Sequence, residues 1–141
     1  MRTTILIILF YSSVFGQKTE NQIISFDGIY ETKCDYANDE EGEKSFLRFY
    51  TNNKVLSIGT VCDATVDDLK VWFNMKMDDK SIGDYKIKGD RIKFFTTNSI
   101  GIVKYRGRIT KNGILELKIK SLINGYRSRE KYQFIKVVGL N

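Results

Sequence analysis

The sequence predicts an all-β fold, an eight-stranded antiparallel up-and-down β-barrel with one short α-helix between strands 3 and 4. Three observations predict it. First, eight tracts, over about residues 26–34, 45–52, 54–61, 81–88, 91–98, 102–111, 114–123 and 127–137, are strand-like, and most alternate apolar with polar side chains. Such alternation turns one face to a core and the other to water. Second, several links are pairs that tolerate positive φ: Asn52-Asn53, Gly89-Asp90, Asn112-Gly113 and Asn124-Gly125. Links this short make sequential neighbours antiparallel. Third, a single segment between the third and fourth tracts changes to helical periodicity. A flat meander of this kind would leave two open edges, which closure into a barrel removes. A two-sheet sandwich needs longer crossovers than the chain offers.

Taken in order, residues 1–16 have the form of a cleaved signal peptide. Arg2 precedes an apolar run from Ile5 to Tyr11, and Val14 and Gly16 suit the −3 and −1 positions of the cleavage site. The run is far shorter than the ~20 residues that span a bilayer. No cysteine precedes Cys34, so the chain is expected not to be a lipoprotein, and residues 17–141 are expected to form one domain in a secreted or periplasmic protein. In the sixth tract Val103, Tyr105, Gly107 and Ile109 share one face and Lys104, Arg106, Arg108 and Thr110 the other. In the seventh, Leu115, Leu117 and Ile119 oppose Glu116, Lys118 and Lys120; in the eighth, Tyr132 and Phe134 oppose Lys131 and Gln133. The break runs from Thr65 to Met75. Thr65 can cap it, Asp67 and Asp68 suit its positive end, and Val66, Leu69, Trp72 and Phe73 share a face.

Alternating strand direction sorts the links into two rims. Tight turns at 52–53, 89–90 and 112–113 close one end. The other end receives the loop 35–44, the helical insertion 63–80, the 98–101 link and the Asn124-Gly125 turn. Functional residues of barrels favour such a loop-bearing mouth. Cys34 and Cys62, the only cysteines, both fall there and are expected to form a disulfide in an exported chain. Their strands flank a third, so the chain must leave the ladder near Cys62 to bring the two within bonding range. The bridge is then expected to pin the helix over the mouth, with Trp72 and Phe73 towards the cavity.

Gly28-Ile29-Tyr30, at the start of the first strand, looks like the glycine-x-tryptophan signature that opens lipocalins, with tyrosine in place of tryptophan. The resemblance covers the mature chain in architecture and one tripeptide in sequence. The long lid and C-terminal helix of full lipocalins are missing, and Gly83-Asp84-Tyr85 is a faint echo of their threonine-aspartate-tyrosine motif. The chain resembles a small, shortened lipocalin-like barrel of the kind found in bacterial envelopes. The resemblance implies carriage of an apolar ligand as one option.

Function rests on three constellations. Tyr30, Tyr85, Phe94, Tyr105, Tyr132 and Phe134 lie on inner faces. With Trp72 and Phe73 they are candidates to line a ligand pocket, or else they fill a core, since eight strands leave room for side chains or one small ligand. The loop around Asp39, Glu40, Glu41 and Glu43 is rich in carboxylates; it is a candidate contact for a basic partner or a solvated loop, and its spacing does not match a calcium loop. Charge is segregated: residues 17–80 hold 8 Lys+Arg and 13 Asp+Glu, net −5, and residues 81–141 hold 14 and 4, net +10. Lys104, Arg106, Arg108, Lys118 and Lys120 on adjacent outer faces predict a basic wall, open to anionic lipid, lipopolysaccharide, polysaccharide or another protein, or serving solubility alone. Nucleic acid is not expected as a partner of an exported chain.

The chain contains no histidine, which removes the commonest general base and metal ligand. No nucleophile motif or phosphate-cradling glycine loop is present. The expectation is therefore a secreted or periplasmic non-catalytic binding protein without cofactor or metal, holding a small apolar or amphipathic ligand in the barrel mouth. The alternative is a protein-interaction or inhibitor module with a filled core, docking a macromolecule through its acidic loop or basic outer face.

Overall fold

A computed structural model describes residues 24–140. The chain forms β1 (Gly28–Glu31), β2 (Glu43–Phe49), β3 (Lys54–Val61), α1 (Val66–Trp72), β4 (Ser81–Lys88), β5 (Arg91–Thr97), β6 (Ile102–Ile109), β7 (Leu115–Ser121) and β8 (Arg127–Lys136). The strands pair in sequence order, and β1 pairs with β8 to close the barrel. Every pairing is antiparallel, as the short links require. Both the fold class and the place of the helix in the chain agree with the sequence reading. The predicted signal peptide lies outside the described residues. Among those residues no helix is long and apolar enough to cross a membrane.

Two kinds of strand build the wall. From β5 to β7 burial alternates residue by residue, so one face is core and the other is water. β2 is different, with Phe46, Leu47, Arg48 and Phe49 buried in succession. Leu47 and Phe49 join the barrel interior with Tyr30, Val55 and Tyr132. Phe46 joins Ile29, Leu56, Leu69, Phe73 and Val137 in a second cluster outside the wall. Strands apolar at consecutive positions are covered on both sides. Here the outer cover over β1–β3 is α1 and the chain following it.

The helix therefore does not lie over the mouth. Trp72 and Phe73 pack with the outer cluster and not with the inward aromatics, which corrects the expected placement. The reason is the apolar outer surface of Ile29, Phe46, Leu56 and Ile58, which must be removed from water. A two-turn helix with a single apolar stripe matches that surface. Its start is a capping box: the Thr65 hydroxyl accepts from the Asp68 N–H at 3.2 Å and the Asp68 carboxylate accepts from the Thr65 N–H at 2.8 Å. That backbone hydrogen bond, followed by the one from the Thr65 side chain, holds the Asp68 carboxyl below its usual range. At the other end buried Arg48 donates to the Phe73 carbonyl at 3.0 Å and stacks 4.6 Å above the Tyr50 ring. The guanidinium meets the negative end of the helix there.

The Cys34–Cys62 disulfide is present, with Cα atoms 5.7 Å apart. Cys62 lies one residue beyond β3, and the register between the β1 side and β2 slips by one, from Glu31↔Phe46 to Asp35↔Glu43. This bulge ends β1 earlier than the sequence suggested and swings Cys34 towards Cys62. Close backbone approach shapes the barrel elsewhere. A Cβ on Gly107 would collide with the Glu116 carbonyl oxygen, and one on Gly83 with that of Phe95.

Candidate functional site

The predicted site residues separate into four groups in space. The inward aromatics come first. Tyr30, Tyr85, Phe94, Tyr105 and Tyr132 belong to one buried interior cluster, with Phe134 packed against it. Phe49, an interior aromatic absent from the predicted set, is its hub. Its ring lies 5.5 Å from Tyr30, 5.1 Å from Tyr85 and 5.7 Å from Phe94, each edge-to-face. Phe94 stacks on Tyr105 at 4.5 Å. Three of the phenols find protein partners. Tyr30 accepts from the Ser25 N–H at 2.9 Å, Tyr85 donates to the Tyr50 carbonyl at 3.0 Å, and Tyr105 shares a hydrogen bond with the Ser57 hydroxyl at 3.0 Å. The interior is thus a packed core in which these three polar tips are satisfied by the protein itself.

Burial pushes the phenols of Tyr30, Tyr50, Tyr85, Tyr105 and Tyr132 above the ordinary tyrosine range, Tyr132 most strongly. Because the folded state holds these protons more tightly than the unfolded state, stability is unaffected below the unfolded pKa of about 10 and declines above it. Alkaline titration is expected to show cooperative unfolding above about pH 10, with tyrosinate absorbance rising in step with loss of near-ultraviolet circular dichroism. Phenols ionising singly ahead of any structural change would show the interior to be wet.

Trp72 and Phe73, the second group, stand outside the barrel wall as described above. The acidic loop is the third. Asp39, Glu40 and Glu41 are exposed on the connection from β1 to β2 and Glu43 is exposed at the start of β2; the Asp39 carboxylate accepts from the Glu41 N–H at 3.0 Å. Among the described residues no three acidic or cysteine side chains are grouped to hold a metal ion. In a closed eight-strand order β2 stands across the barrel from β6, so the acidic loop and the basic wall occupy opposite sides.

The basic wall is the fourth group and the most extensive. Outward residues of β4–β8 surround a surface basin of about 1190 Å³. Its floor passes over Phe94, Tyr105, Ile119 and Ser128, whose side chains alternate to the other face. Register explains its charge. Lys86 pairs with Lys93, Lys93 with Arg106, Arg106 with Lys118 and Lys118 with Arg129, giving an unbroken row of five cations across five strands. The next row towards the loop rim places Phe95 beside Lys104, Lys104 beside Lys120 and Lys120 beside Arg127. Asp84 is the single carboxylate of the lining, and it is paired with Lys54 at 2.7 Å. Among the described residues, none of the eight basic side chains of the basin has a salt-bridge partner.

Arg108 stands apart from Lys104 and Arg106. It lies one row further towards the closed rim and is engaged by the Glu116 carboxylate at 3.1 Å. Sequence reasoning missed Lys86, Lys93, Arg127, Arg129 and Phe95. The signal for them was the outward phase of the fourth, fifth and eighth tracts, which becomes informative once the hairpin turns fix register. The predicted small-ligand site and the observed surface basin share Phe94 and Tyr105, and both side chains belong to the core below the basin.

No known protein family matches the chain, and no characterised protein is similar to it in sequence.

Proposed function

We propose that this protein is an exported, non-catalytic binding barrel, lipocalin-like in architecture, whose working surface is the basic outer face of β4–β8 and whose partner is a polyanion. The observation that carries the reading is the five-cation row Lys86–Lys93–Arg106–Lys118–Arg129. Like charges directly opposite on neighbouring strands destabilise a sheet. Alternating Lys with Glu across the same strands would confer equal solubility without that cost, as Arg108 and Glu116 do one row away. A surface that concentrates uncompensated cations at strand spacing offers a regular array for anionic groups. The packed interior supports this reading over carriage of a ligand inside the barrel. The disulfide is compatible with an extracellular or periplasmic location.

Charge reversal tests it. Arg106→Glu with Lys118→Glu is expected to lower affinity for a soluble sulfated dextran at least tenfold and to reduce the slope of log K against log salt by about two, one for each cation removed. The neutral pair Arg106→Gln with Lys118→Gln is expected to weaken binding too, while leaving stability equal or a few tenths of a kcal/mol higher, because it removes cross-strand repulsion. Unchanged retention in both variants would return the basic wall to a solubilising role.

A further inference from the structure

The end of the basic face is not charged. Following the strands from the five-cation row towards the loop rim, the next outward row is Phe95, Lys104, Lys120 and Arg127. Beyond it the outward positions carry no charge: Thr97 on β5, Ile102 beside it on β6, and Leu122 just past β7, whose N–H donates to the Ile102 carbonyl at 2.9 Å. The two adjoining links add Ile100, which is 70 % exposed, Ile123, and Tyr126, which is 62 % exposed. Ile123 lies against Gly101, so the β5–β6 and β7–β8 links touch and form one tip. Of the thirteen large apolar side chains exposed among the described residues, these five and Phe95 lie on or at the end of this one face. Five clustered apolar side chains at a loop tip are not needed for a packed core, and they lower solubility.

We infer that this rim docks on an anionic lipid surface, with Ile100, Ile123 and Tyr126 entering the interface and the flanking cations contacting headgroup phosphates. Successive outward rows are separated by two residues, ~7 Å along a strand. Tips buried ~5–10 Å at the headgroup–acyl boundary therefore hold Lys104, Lys120 and Arg127 at phosphate depth, with the five-cation row just above. A soluble polymer would have no use for the apolar tip, whereas a bilayer uses both. The outward cations also argue against a barrel wall facing lipid acyl chains, where an apolar band is required. This inference rests on the basic-face reading of the previous subsection and specifies its partner.

The test uses protein produced from the full chain, sedimented with vesicles of phosphatidylcholine alone or containing about a third phosphatidylglycerol, in parallel with retention on sulfated dextran. Binding is expected only to the anionic vesicles. The triple variant Ile100→Ser, Ile123→Ser, Tyr126→Ser is expected to lose at least tenfold in vesicle partitioning, since each apolar tip contributes to insertion, and to keep its retention on sulfated dextran. Lys104→Glu with Lys120→Glu is expected to lose both. Protein that binds sulfated dextran but ignores anionic vesicles would overturn the membrane inference and leave the basic-face reading standing, with a soluble polymer as the partner. Vesicle binding unaffected by the triple variant would overturn insertion of the tip. Binding to neither would overturn both readings.

Discussion

Replacing Phe49 with alanine is expected to destabilise the barrel by about 3–5 kcal/mol, the range for removing a large aromatic from a packed core. Phe49 is 1 % exposed, and its ring meets Tyr30, Tyr85 and Phe94 edge-to-face. Those three come from β1, β4 and β5, so the ring ties strands from around the barrel. Close-packed interiors relax only partly around a missing ring, and the void adds to the forfeited transfer energy. Denaturant unfolding of parent and variant measures the effect. The same variant also tests whether the interior is available to ligands. An apolar cavity of ring size binds small apolar molecules, so benzene is expected to raise the melting temperature of Phe49→Ala and not that of the parent. A loss below 1 kcal/mol, with the parent stabilised by benzene, would show slack inside the wall and restore carriage of an apolar ligand as the better reading.

The strands from β5 to β8 were legible in the sequence because they are one-sided. Val103 to Thr110 and Leu115 to Lys120 alternate cleanly, and the Asn112-Gly113 turn fixes their register, so the basic wall at Lys104, Arg106 and Lys118 followed directly. β1–β3 were harder to read because they are two-sided. Ile29-Tyr30, Phe46-Leu47 and Val55-Leu56 put apolar residues at consecutive positions, and each pair divides between the interior and the outer cluster. That doubling was the signal that something covers the outside, and α1, the one helix among the described residues, was available to do so. Reading the helix as a lid rested on its place among the links of the loop-bearing rim and on the disulfide. The bridge fixes where the helix begins, but the apolar surface beneath fixes where it lies. Arg48 was illegible for a different reason. A lone arginine in an outward strand position reads as solvated, and only the helix end above it makes it a buried donor to Phe73. The apolar tip was spread over two links that meet at Gly101 and Ile123, a contact that depends on the β6–β7 pairing and not on any local pattern.

Removing the disulfide is expected to have the second large effect. Cys34 and Cys62 are 28 residues apart, and closing a loop of that length in the unfolded chain corresponds to ~3.5 kcal/mol in the chain-entropy model. For a domain of this size the melting temperature is expected to fall by roughly 10–15 °C on replacing both with serine. The loosening should be local at first. The bridge joins the end of the β1 side to the turn before α1, where Gly42 lies close against both the Tyr36 ring and the Cys62 sulfur. Hydrogen exchange is therefore expected to quicken in residues 35–42 and in α1 well before β5–β8, whose core contacts do not pass through the bridge. Because the basic face belongs to those distant strands, the folded double-serine variant should retain its affinity for sulfated dextran. Intact mass of the untreated protein, two hydrogens below the reduced form, establishes the bond. Loss of polyanion binding along with the bridge, in protein still folded, would place the working surface at the disulfide end and beside the acidic loop. Retained binding in a barrel that melts earlier would separate what stabilises this fold from what it presents to its partner.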